Sequence, residues 1–225
     1  MNDNIKTLLI CLATLVGTLA VVIAAFAIVV RYKTTARRRK IEQYGRESEA
    51  RIDALLKKNF GDAAVFSGIY LPYLNTPDKH AEIDHLVITR SGVYVIEVKS
   101  HNGYIQSPDE RNWWQTYNDK KIQFYNPIRQ NNTHVKIVQE ILKAEGQYNV
   151  PMYNIVVFTS HRVTFSKKHD NVIPTEGLVG YIRRVGKKNA LSTSQVGRVR
   201  RAIAGKIVSG KDVARKHKRA IRNYK

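Results

Sequence analysis

The chain has 225 residues, with 38 Lys and Arg side chains against 18 Asp and Glu, a single Cys and 43% apolar residues. This length accommodates one globular domain with appended segments and leaves too little chain for two full-sized domains. The lone Cys11 excludes an intramolecular disulfide and a cysteine-based zinc site. The net charge of +20 indicates a polyanionic partner, either nucleic acid or an anionic membrane surface.

The positive charge is concentrated in two segments. Residues 31–58 carry ten basic and four acidic side chains, and residues 190–225 carry eleven basic side chains against the single acidic Asp212. The part of the chain between these segments is nearly balanced. The excess charge therefore flanks the middle of the chain.

One long apolar segment lies close to the N-terminus. Residues 8–30 contain no charged side chain and consist mostly of Leu, Val, Ile and Ala, and about 20 helical residues cross a hydrocarbon core of ~30 Å. A cleavable signal peptide is the competing interpretation, but its apolar region normally spans only about 7–15 residues. The length favours an uncleaved transmembrane anchor.

The charges next to this segment predict its orientation, because Lys and Arg near a span are retained on the cytoplasmic side. Six basic side chains follow the span closely: Arg31, Lys33, Arg37, Arg38, Arg39 and Lys40. Only Lys6 and the terminal amine precede it. We therefore expect a single-pass protein of the inner or plasma membrane, with its N-terminus outside and its soluble domain in the cytoplasm.

Helical spacing begins after the basic run. Apolar side chains recur at Ile41, Tyr44, Ile52 and Leu55, and Glu49 lies beside this face. The pattern predicts a helix that closes at residues 60–61. A first strand is predicted over residues 64–71, and a loop over residues 72–80, where Pro, Asn and Asp are frequent.

Two strands with clear alternation follow, over residues 82–89 and 93–99. Side chains in a strand point to opposite faces with period two. Asp84 therefore shares a face with Leu86 and Ile88. Glu97 and Lys99 share a face with the apolar Val93 and Val95. Both strands thus place ionisable groups on a face that is otherwise apolar.

The turn between these strands decides whether the two acidic groups meet. An even-membered loop puts Asp84 directly opposite Glu97, with Cβ atoms ~4.5–5.5 Å apart, whereas a three-residue loop with a bulge at Gly92 breaks this register. Two facing carboxylates repel unless they share a proton or a cation, and a hard divalent cation takes oxygen ligands. Lys99 would carry a positive charge toward such a site, where it can hold a phosphate or orient a water. A plain surface pair between Glu97 and Lys99 is the alternative.

The remaining chain contains loops, one strong helix start and a buried strand. Residues 101–125 are predicted to be rich in loops, with a hairpin near residues 117–124. Within them Trp113 and Trp114 can stack on bases, although packing in the core is the commoner use of paired Trp. Asn126 and Pro127 predict a helix start, and the row that contains Gln130 turns inward. Residues 154–159 are typical of a central strand, and the chain is predicted to be helical from residue 178, with a capping box at Ser192 and Gln195.

The combined pattern resembles the NERD (nuclease-related) domain, a branch of the PD-(D/E)XK nuclease superfamily. The matching pieces appear in family order over roughly residues 44–160: Gly45-Arg-Glu-Ser-Glu49, Glu82-Ile-Asp-His-Leu-Val-Ile88, Gly92-Val-Tyr-Val-Ile-Glu-Val-Lys99, His101-Asn-Gly-Tyr-Ile105, Trp114 and Asn126-Pro-Ile-Arg-Gln-Asn131. Several ordered blocks at fitting spacing are far more specific than an isolated Glu-x-Lys. The segment after Lys99 departs from the family, since His101 to Gly103 stand where a Trp is often found.

The resemblance implies an α/β fold with a restriction-endonuclease-like core, in which a central mixed β-sheet is flanked by helices, here preceded by one transmembrane helix. It also implies that Asp84, Glu97 and the backbone carbonyl of Val98 hold Mg²⁺ or Mn²⁺, and that Lys99 is the catalytic lysine. Glu49 from the first helix and Gln130 from the later helix would complete the catalytic set.

The domain organisation expected on this basis has four parts. A transmembrane anchor occupies residues 1–33, with its span at about 8–30, and a basic juxtamembrane linker occupies 34–43. The nuclease-like domain occupies 44–190, and a basic helix and tail occupy 191–225. Anionic lipid or nucleic acid would be bound by the flanking cations: Arg37, Arg38, Arg39, Lys40, Lys211, Arg215, Lys216, Lys218 and Arg219.

The function implied is that of a membrane-anchored, Mg²⁺-dependent nuclease that hydrolyses phosphodiester bonds in cytoplasmic DNA or RNA, with DNA favoured. The alternative is a catalytically silent, membrane-tethered module that binds nucleic acid or protein. A cation requirement for cleavage would distinguish the two, because pure binding through ~8–10 phosphate contacts depends steeply on salt and not on a bound metal.

Overall fold

A computed structural model describes residues 3–186, 188–208, 210 and 213. The chain divides into two compact units, Met1–Arg46 and Glu47–Lys225. In the first unit the described residues form one helix, which is the N-terminal part of α1 (Asp3–Phe60). The second unit contains the last part of α1 and all the β-structure.

The strands and helices of the second unit follow one another in this order: β1 (Val65–Tyr73), β2 (Thr76–Thr89), β3 (Gly92–Lys99), β4 (Gly103–Gln106), β5 (Asn112–Tyr117), β6 (Lys120–Tyr125), α2 (Pro127–Ala144), β7 (Met152–Phe158), β8 (Val163–Phe165), β9 (Val172–Pro174), α3 (Leu178–Val185) and α4 (Thr193–Ala204). Short 3₁₀ turns at Asp62–Ala64 and Thr175–Gly177 precede β1 and α3.

The central sheet has five strands in the order β1-β2-β3-β7-β9. The pairs β1–β2 and β2–β3 are antiparallel, and the pairs β3–β7 and β7–β9 are parallel. Helices cover both faces, with α2 and α4 on one side and the last part of α1 with α3 on the other. This mixed sheet flanked by helices agrees with the α/β, restriction-endonuclease-like fold expected from the sequence.

Apolar periodicity explains which part of α1 joins the second unit. Ile52 and Leu56 are spaced one turn apart and are completely buried against Val87, Ile96 and neighbouring residues of the sheet. Complete burial of one such side chain contributes about 1.5–3 kcal/mol relative to its exposure. The two residues therefore fix the end of the helix on the sheet.

The β2–β3 hairpin has the register that the even-membered loop predicts. Thr89 pairs with Gly92 across the two-residue turn Arg90–Ser91, and the ladder continues to His85 opposite Ile96. The alternative three-residue loop is therefore excluded. Asp84 and Glu97 are the next positions in the same register, and at this point the β2–β3 ladder ends.

In β1 and β2 the alternation of buried and outward side chains is interrupted at the level of Asp84. Ile83 and Leu86 lie in one buried cluster although strict alternation would put them on opposite faces. Gly68, which the β1–β2 register places opposite Asp84, has a left-handed φ of +59°, a conformation open chiefly to glycine. Asp84 therefore sits at a local distortion of β2.

The predicted loop over residues 72–80 is wrong. Tyr73 pairs with Thr76 and Pro72 pairs with His80, so the two strands continue to a tight turn at Leu74 and Asn75. Pro72 is tolerated because β1 is the edge strand of the sheet, where a missing backbone N–H breaks no ladder.

Residues 101–125 form more regular structure than predicted. They contribute β4, β5 and β6 to a second sheet with the order β6-β5-β4-β8. The hairpin between β5 and β6 turns at Asn118 and Asp119, which both have positive φ, as a type I′ turn requires. Trp113 and Ile105 pack this sheet onto Val156 and Phe158 of the central sheet.

The C-terminal part of the chain is only partly described. The predicted capping box at Ser192 and Gln195 is confirmed at the start of α4, and Val199 and Ile203 bury that helix against the core. The tail residues Lys211, Arg215, Lys216, Lys218 and Arg219 lie outside the described residues. The four-part division of the chain stays a prediction.

Candidate active site

The C-terminal end of β3 carries the central residues of the site. β3 lies between β2 and β7, so its side chains are buried on both faces of the sheet. Glu97 is 2% exposed, and Lys99 follows it on the same face. Such burial of two ionisable groups at the end of a central strand requires compensation, because an unpaired buried charge is costly.

Asp84 reaches this end of β3 from the neighbouring strand. Its Oδ2 accepts a hydrogen bond of 2.7 Å from the backbone N–H of Val98, just beyond the last pair of the β2–β3 ladder. Burial raises the pKa of Asp84 well above its usual range, and the negative charge of Glu97 raises it further. The ammonium of Lys99 and the Val98 hydrogen bond only partly oppose this shift. The Glu97 carboxylate is thus close enough to disfavour ionisation of Asp84.

Lys99 supplies the positive charge that the carboxylates need. Its Nζ donates to Glu97 Oε1 at 2.5 Å and to Gln130 Oε1 at 3.2 Å. Burial alone would lower the pKa of the ammonium, but the charges of Glu97 and Asp84 outweigh burial and raise it. Lys99 is therefore a cation at neutral pH. The simple surface pair considered from the sequence is wrong, since the Glu97 and Lys99 side chains are only 3% and 17% exposed.

The start of α2 positions Gln130 next to Lys99. The Asn126 side chain accepts hydrogen bonds from the backbone N–H groups of Ile128 and Arg129, and Pro127 occupies the first turn, so the predicted helix start is confirmed. Gln130 follows in that turn, and His134 lies one turn later. The Nδ1 of His134 is 3.5 Å from Glu97 Oε2. His134 was missed as a site residue, although its spacing of four from Gln130 puts both on one helix face.

Glu49 approaches from α1. Ser48, one residue earlier, is completely buried, and its Oγ accepts a hydrogen bond of 3.0 Å from Thr159 Oγ1 at the end of β7. Glu49 itself is exposed. Its charge contributes to the raised pKa values of both Asp84 and Lys99, so Glu49 lies at the solvent edge of the same cluster.

Tyr70 and Glu82 also border the cluster and were not predicted from the sequence. They are paired residues of β1 and β2. Burial raises the pKa of Tyr70, and a hydrogen bond with Glu82 and the charges of Glu82, Glu49 and Asp84 add to the shift. The signal available in the sequence was the position of Glu82, two residues before Asp84 in the same strand.

The donor set suits a hard divalent cation. Glu97 Oε2 is buried, makes no hydrogen bond within the described part of the chain, and lies 3.5 Å from His134 Nδ1. The carbonyl of Lys99 accepts from Thr159 on the β7 side. Because backbone groups of successive strand residues point to alternate edges, the carbonyl of Val98 points to the β2 side, where Asp84 lies. Two carboxylates and a carbonyl are the oxygen ligands that Mg²⁺ accepts. Within the described ranges, no group of three or more His, Cys, Asp or Glu side chains has the arrangement of a metal site.

The basic run belongs to the first unit and is exposed to solvent. Arg37, Arg38, Arg39 and Lys40 all lie exposed on α1, and the Nε of Arg38 makes an ion pair of 3.0 Å with Glu42. One helix of the described chain, at the N-terminal end, is long and apolar enough to cross a membrane by length and composition. A signal sequence satisfies the same criteria.

Comparison with known proteins points to one family. Residues 44–159, about half of the chain, match the family described as the nuclease-related domain, NERD. An uncharacterized protein of Bacillus anthracis is 26% identical over 160 residues, which cover 69% of this chain and 71% of the relative. No solved structure matches the chain with significant similarity. The matched range contains all the catalytic and metal-binding residues that the sequence predicted: Glu49, Asp84, Glu97, Val98, Lys99 and Gln130.

Proposed function

The chain belongs to the NERD family of nuclease-related domains, and from this membership and the cluster at the end of β3 we propose that it is a membrane-anchored, Mg²⁺- or Mn²⁺-dependent nuclease. The proposed reaction is hydrolysis of phosphodiester bonds in cytoplasmic DNA or RNA, with DNA as the favoured substrate. The observation that carries the proposal is the convergence of two carboxyl groups, the half-buried Asp84 and the buried Glu97, with the ammonium of Lys99.

The proposed cation would be held by Asp84, Glu97 and the carbonyl of Val98. When bound, such a cation lowers the pKa of a coordinated water and offsets the negative charge that develops on the phosphate. The buried Glu97 Oε2 without a hydrogen bond supports this assignment. The raised pKa of Asp84 supports it too, because a bound cation would compensate the mutual repulsion of the carboxylates.

The other residues would position and neutralise the substrate. Lys99 keeps its proton and offers a positive charge to the phosphate, and Gln130 holds that ammonium in place through a hydrogen bond of 3.2 Å. His134, 3.5 Å from Glu97 Oε2, limits the orientations of the Glu97 carboxylate. Glu49, at the solvent edge, would orient water that enters the site.

The membrane anchor is a second part of the proposal. The large apolar side chains of residues 12–30 are between 43% and 70% exposed, and a helix that is apolar on all sides requires lipid or protein around it. The basic residues Arg37 to Lys40 support a cytoplasmic location for the segment that follows and would contact anionic headgroups. The basic residues of the C-terminal tail, Lys211, Arg215, Lys216, Lys218 and Arg219, would add to such contacts.

A nuclease assay on the full-length chain tests the proposed activity. Glu97→Gln keeps the shape of the side chain but removes its charge. We expect wild-type protein to cleave DNA with Mg²⁺ or Mn²⁺ and to stop when the metal is chelated, and we expect Glu97→Gln to lose cleavage by more than ~100-fold, since metal-assisted hydrolysis depends on this ligand.

Glu140→Gln is the matched control, because Glu140 is an exposed residue of α2 and the same charge is removed. Its cleavage rate should equal that of the wild type. Cleavage that survives in Glu97→Gln would remove the assignment. Binding of DNA with no cleavage and no metal requirement would instead establish the silent binding module.

A further inference from the structure

The second sheet has an outer face that the proposed active site does not use. Ile105 and Trp113 point inward to the core cluster with Phe124, so their neighbours along each strand point outward. The outer face is defined by eight residues: Tyr104, Gln106, Trp114, Thr116, Lys121, Gln123, Tyr125 and Thr164. The strand register places them in rows, with Tyr104 opposite Thr116, and with Trp114 between Gln106 and Gln123.

Three aromatic rings lie on the outer face, and two of them are accompanied by a cation. Tyr104 and Tyr125 are 44% and 42% exposed, and Trp114 is half-buried. The Nζ of Lys121 is 5.6 Å from the centre of the Trp114 ring, and the Cζ of Arg111 is 6.0 Å from the centre of the Tyr125 ring. These distances fall within the range of cation–π contacts.

The chemistry between the rings is polar and lacks carboxylates. The other members of the outer face are amides, hydroxyls and one ammonium. A pocket of about 450 Å³ beside Trp114 is lined also by Lys121 and Lys167. Of these two cations, Lys167 forms an exposed ion pair of 2.5 Å with Asp109, which lies in the loop before β5. Aromatic rings, amide groups and positive charge together match the bases and phosphates of a nucleic acid.

We propose that the outer face binds a single-stranded segment of nucleic acid, with bases stacked on Trp114 and Tyr104 and with Lys121 and Arg111 near the phosphates. The inference rests on the proposed function for its partner, nucleic acid, and adds the single-stranded form and the place of contact. Bases expose their planar faces only when they are unpaired and unstacked, so flat aromatic rings on an open sheet select single strands. The eight residues of the outer face include no aliphatic side chain, so ring stacking, hydrogen bonds and charge are the contacts that this face offers.

Binding to the full-length chain in detergent tests the proposal. The probes are a fluorescent 20-mer of thymidine and a blunt duplex of equal length, measured by anisotropy in EDTA, so that the proposed cleavage cannot act. We expect Trp114→Ala and Tyr104→Ala each to weaken binding of the single strand by about 10- to 100-fold, the effect of losing one stacked base. Duplex affinity should change much less.

Tyr148→Ala is the matched control, because Tyr148 is 65% exposed and lies outside the second sheet. It should bind both probes like the wild type. Tryptophan fluorescence gives an independent signal, since Trp113 is completely buried and Trp114 is not. Addition of the thymidine 20-mer should quench the wild-type emission, and Trp114→Phe should abolish that quenching.

Unchanged single-strand affinity in both Trp114→Ala and Tyr104→Ala would overturn the inference, and so would an equal loss for duplex and single strand, which indicates phosphate contacts alone. If the wild type does not bind the thymidine 20-mer, the proposal is overturned and a protein becomes the candidate partner of the outer face. These outcomes are separate from those of the nuclease assay. If Glu97→Gln loses cleavage but Trp114→Ala and Tyr104→Ala bind the single strand normally, the proposed nuclease activity stands and the proposed role of the outer face is wrong. If Glu97→Gln still cleaves but Trp114→Ala and Tyr104→Ala bind the single strand weakly, the outer face stands and the assignment of the active site is wrong.

Discussion

At the end of β3 the stability of the fold depends on the balance between two acidic side chains and one lysine. Asp84 and Glu97 bring two acidic groups into a buried cluster, and Lys99 contacts Glu97 directly. Removing one partner of a buried ion pair lowers the free energy of unfolding strongly, because the remaining buried charge then has no partner to compensate its loss of hydration. Lys99 is therefore a structural as well as a proposed catalytic residue.

Lys99→Met should lower the free energy of unfolding by about 3 kcal/mol at neutral pH. The deficit should shrink as the pH falls. A carboxyl group whose pKa is raised in the folded protein, as for Asp84, holds its proton more tightly than in the unfolded chain, so protonation stabilises the fold. Denaturation curves at several pH values measure this dependence.

Lys167→Met is the control for Lys99→Met, because the ion pair of Lys167 with Asp109 is exposed. An exposed pair contributes little to stability because water and salt screen it, so the control should remain close to wild type. Equal stability of Lys99→Met and wild type at neutral pH would contradict the charge balance described for the cluster.

His101 predicts a pH dependence of stability. Burial lowers the pKa of His101 to about 4, and the charge of Lys99 acts in the same direction. Between pH 6.5 and 4 the unfolded chain takes up a proton that the folded chain refuses, so this residue makes the free energy of unfolding fall by up to ~3 kcal/mol as the pH drops.

His101→Phe should retain the ring stacking on Phe124, which the imidazole makes with centroids 4.2 Å apart, and should remove the titration. The decline of stability between pH 6.5 and 4 should therefore be shallower in the variant, as measured by urea denaturation at fixed pH values. An identical decline in both proteins would show that His101 is protonated in the fold.

The β2–β3 hairpin is the element that sets the site. The sequence left two registers open, and the structure has the one with the two-residue turn, which brings Asp84 and Glu97 to the same level of the sheet. Alternation did not reveal the distortion at Gly68, because that depends on a backbone angle in β1. Glu49 and Gln130 were placed only through the family resemblance, since contacts between distant elements leave no periodic signal in one sequence.

The second sheet shows where local patterns fail. Its strands are short, between three and six residues, and Gly103 and Asp109 interrupt the alternation, so residues 101–125 were predicted to be mainly loop. Tertiary packing of Trp113 and Ile105 onto β7 stabilises these strands, and such packing overrides weak local propensity. Packing also explains why β1 and β2 extend to Tyr73 and Thr76, because Leu71, Tyr73 and Ala81 contact the core cluster.

Gly92→Ala should be severely destabilising. Gly92 has a φ of +134°, and an added Cβ would lie 2.6 Å from the carbonyl oxygen of Pro151 and 2.9 Å from the Tyr153 ring. We expect a loss of ~3 kcal/mol or more, because strain and a backbone clash add together. Thermal or chemical denaturation measures the loss.

Gly146→Ala separates these two effects. Gly146 also has a positive φ, +70°, but an added Cβ meets nothing within 4 Å. The variant should lose only the conformational term, about 1–2 kcal/mol. If Gly92→Ala costs no more than Gly146→Ala, the tight approach of the hairpin to Pro151 is contradicted.

At the scale of the whole molecule, two units with different surfaces share one chain. The first exposes apolar side chains along residues 8–30, and the second buries an apolar core on both sides of a mixed sheet. The length of the apolar segment predicted the proposed anchor, because a bilayer requires about 20 apolar helical residues. The basic residues after it predicted the orientation, because Lys and Arg near a span stay on the cytoplasmic side.

Cysteine labelling tests the orientation, since Cys11 is the single Cys of the chain. In a Cys11→Ser background, we expect a cysteine introduced by Asn4→Cys to react with a membrane-impermeant maleimide on intact cells. The matched variant Tyr148→Cys should react only after the cells are permeabilised. The inverse pattern, or recovery of the chain in the soluble fraction, would contradict the proposed anchor.

The central claim is that Asp84 and Glu97 hold one divalent cation jointly. Binding of Mn²⁺ to the full-length chain, followed by electron paramagnetic resonance of the free ion, measures this directly. We expect one ion to be bound per wild-type chain, with binding lost in Asp84→Asn and in Glu97→Gln alike and retained in Glu140→Gln. Full binding by either of the first two variants would contradict it.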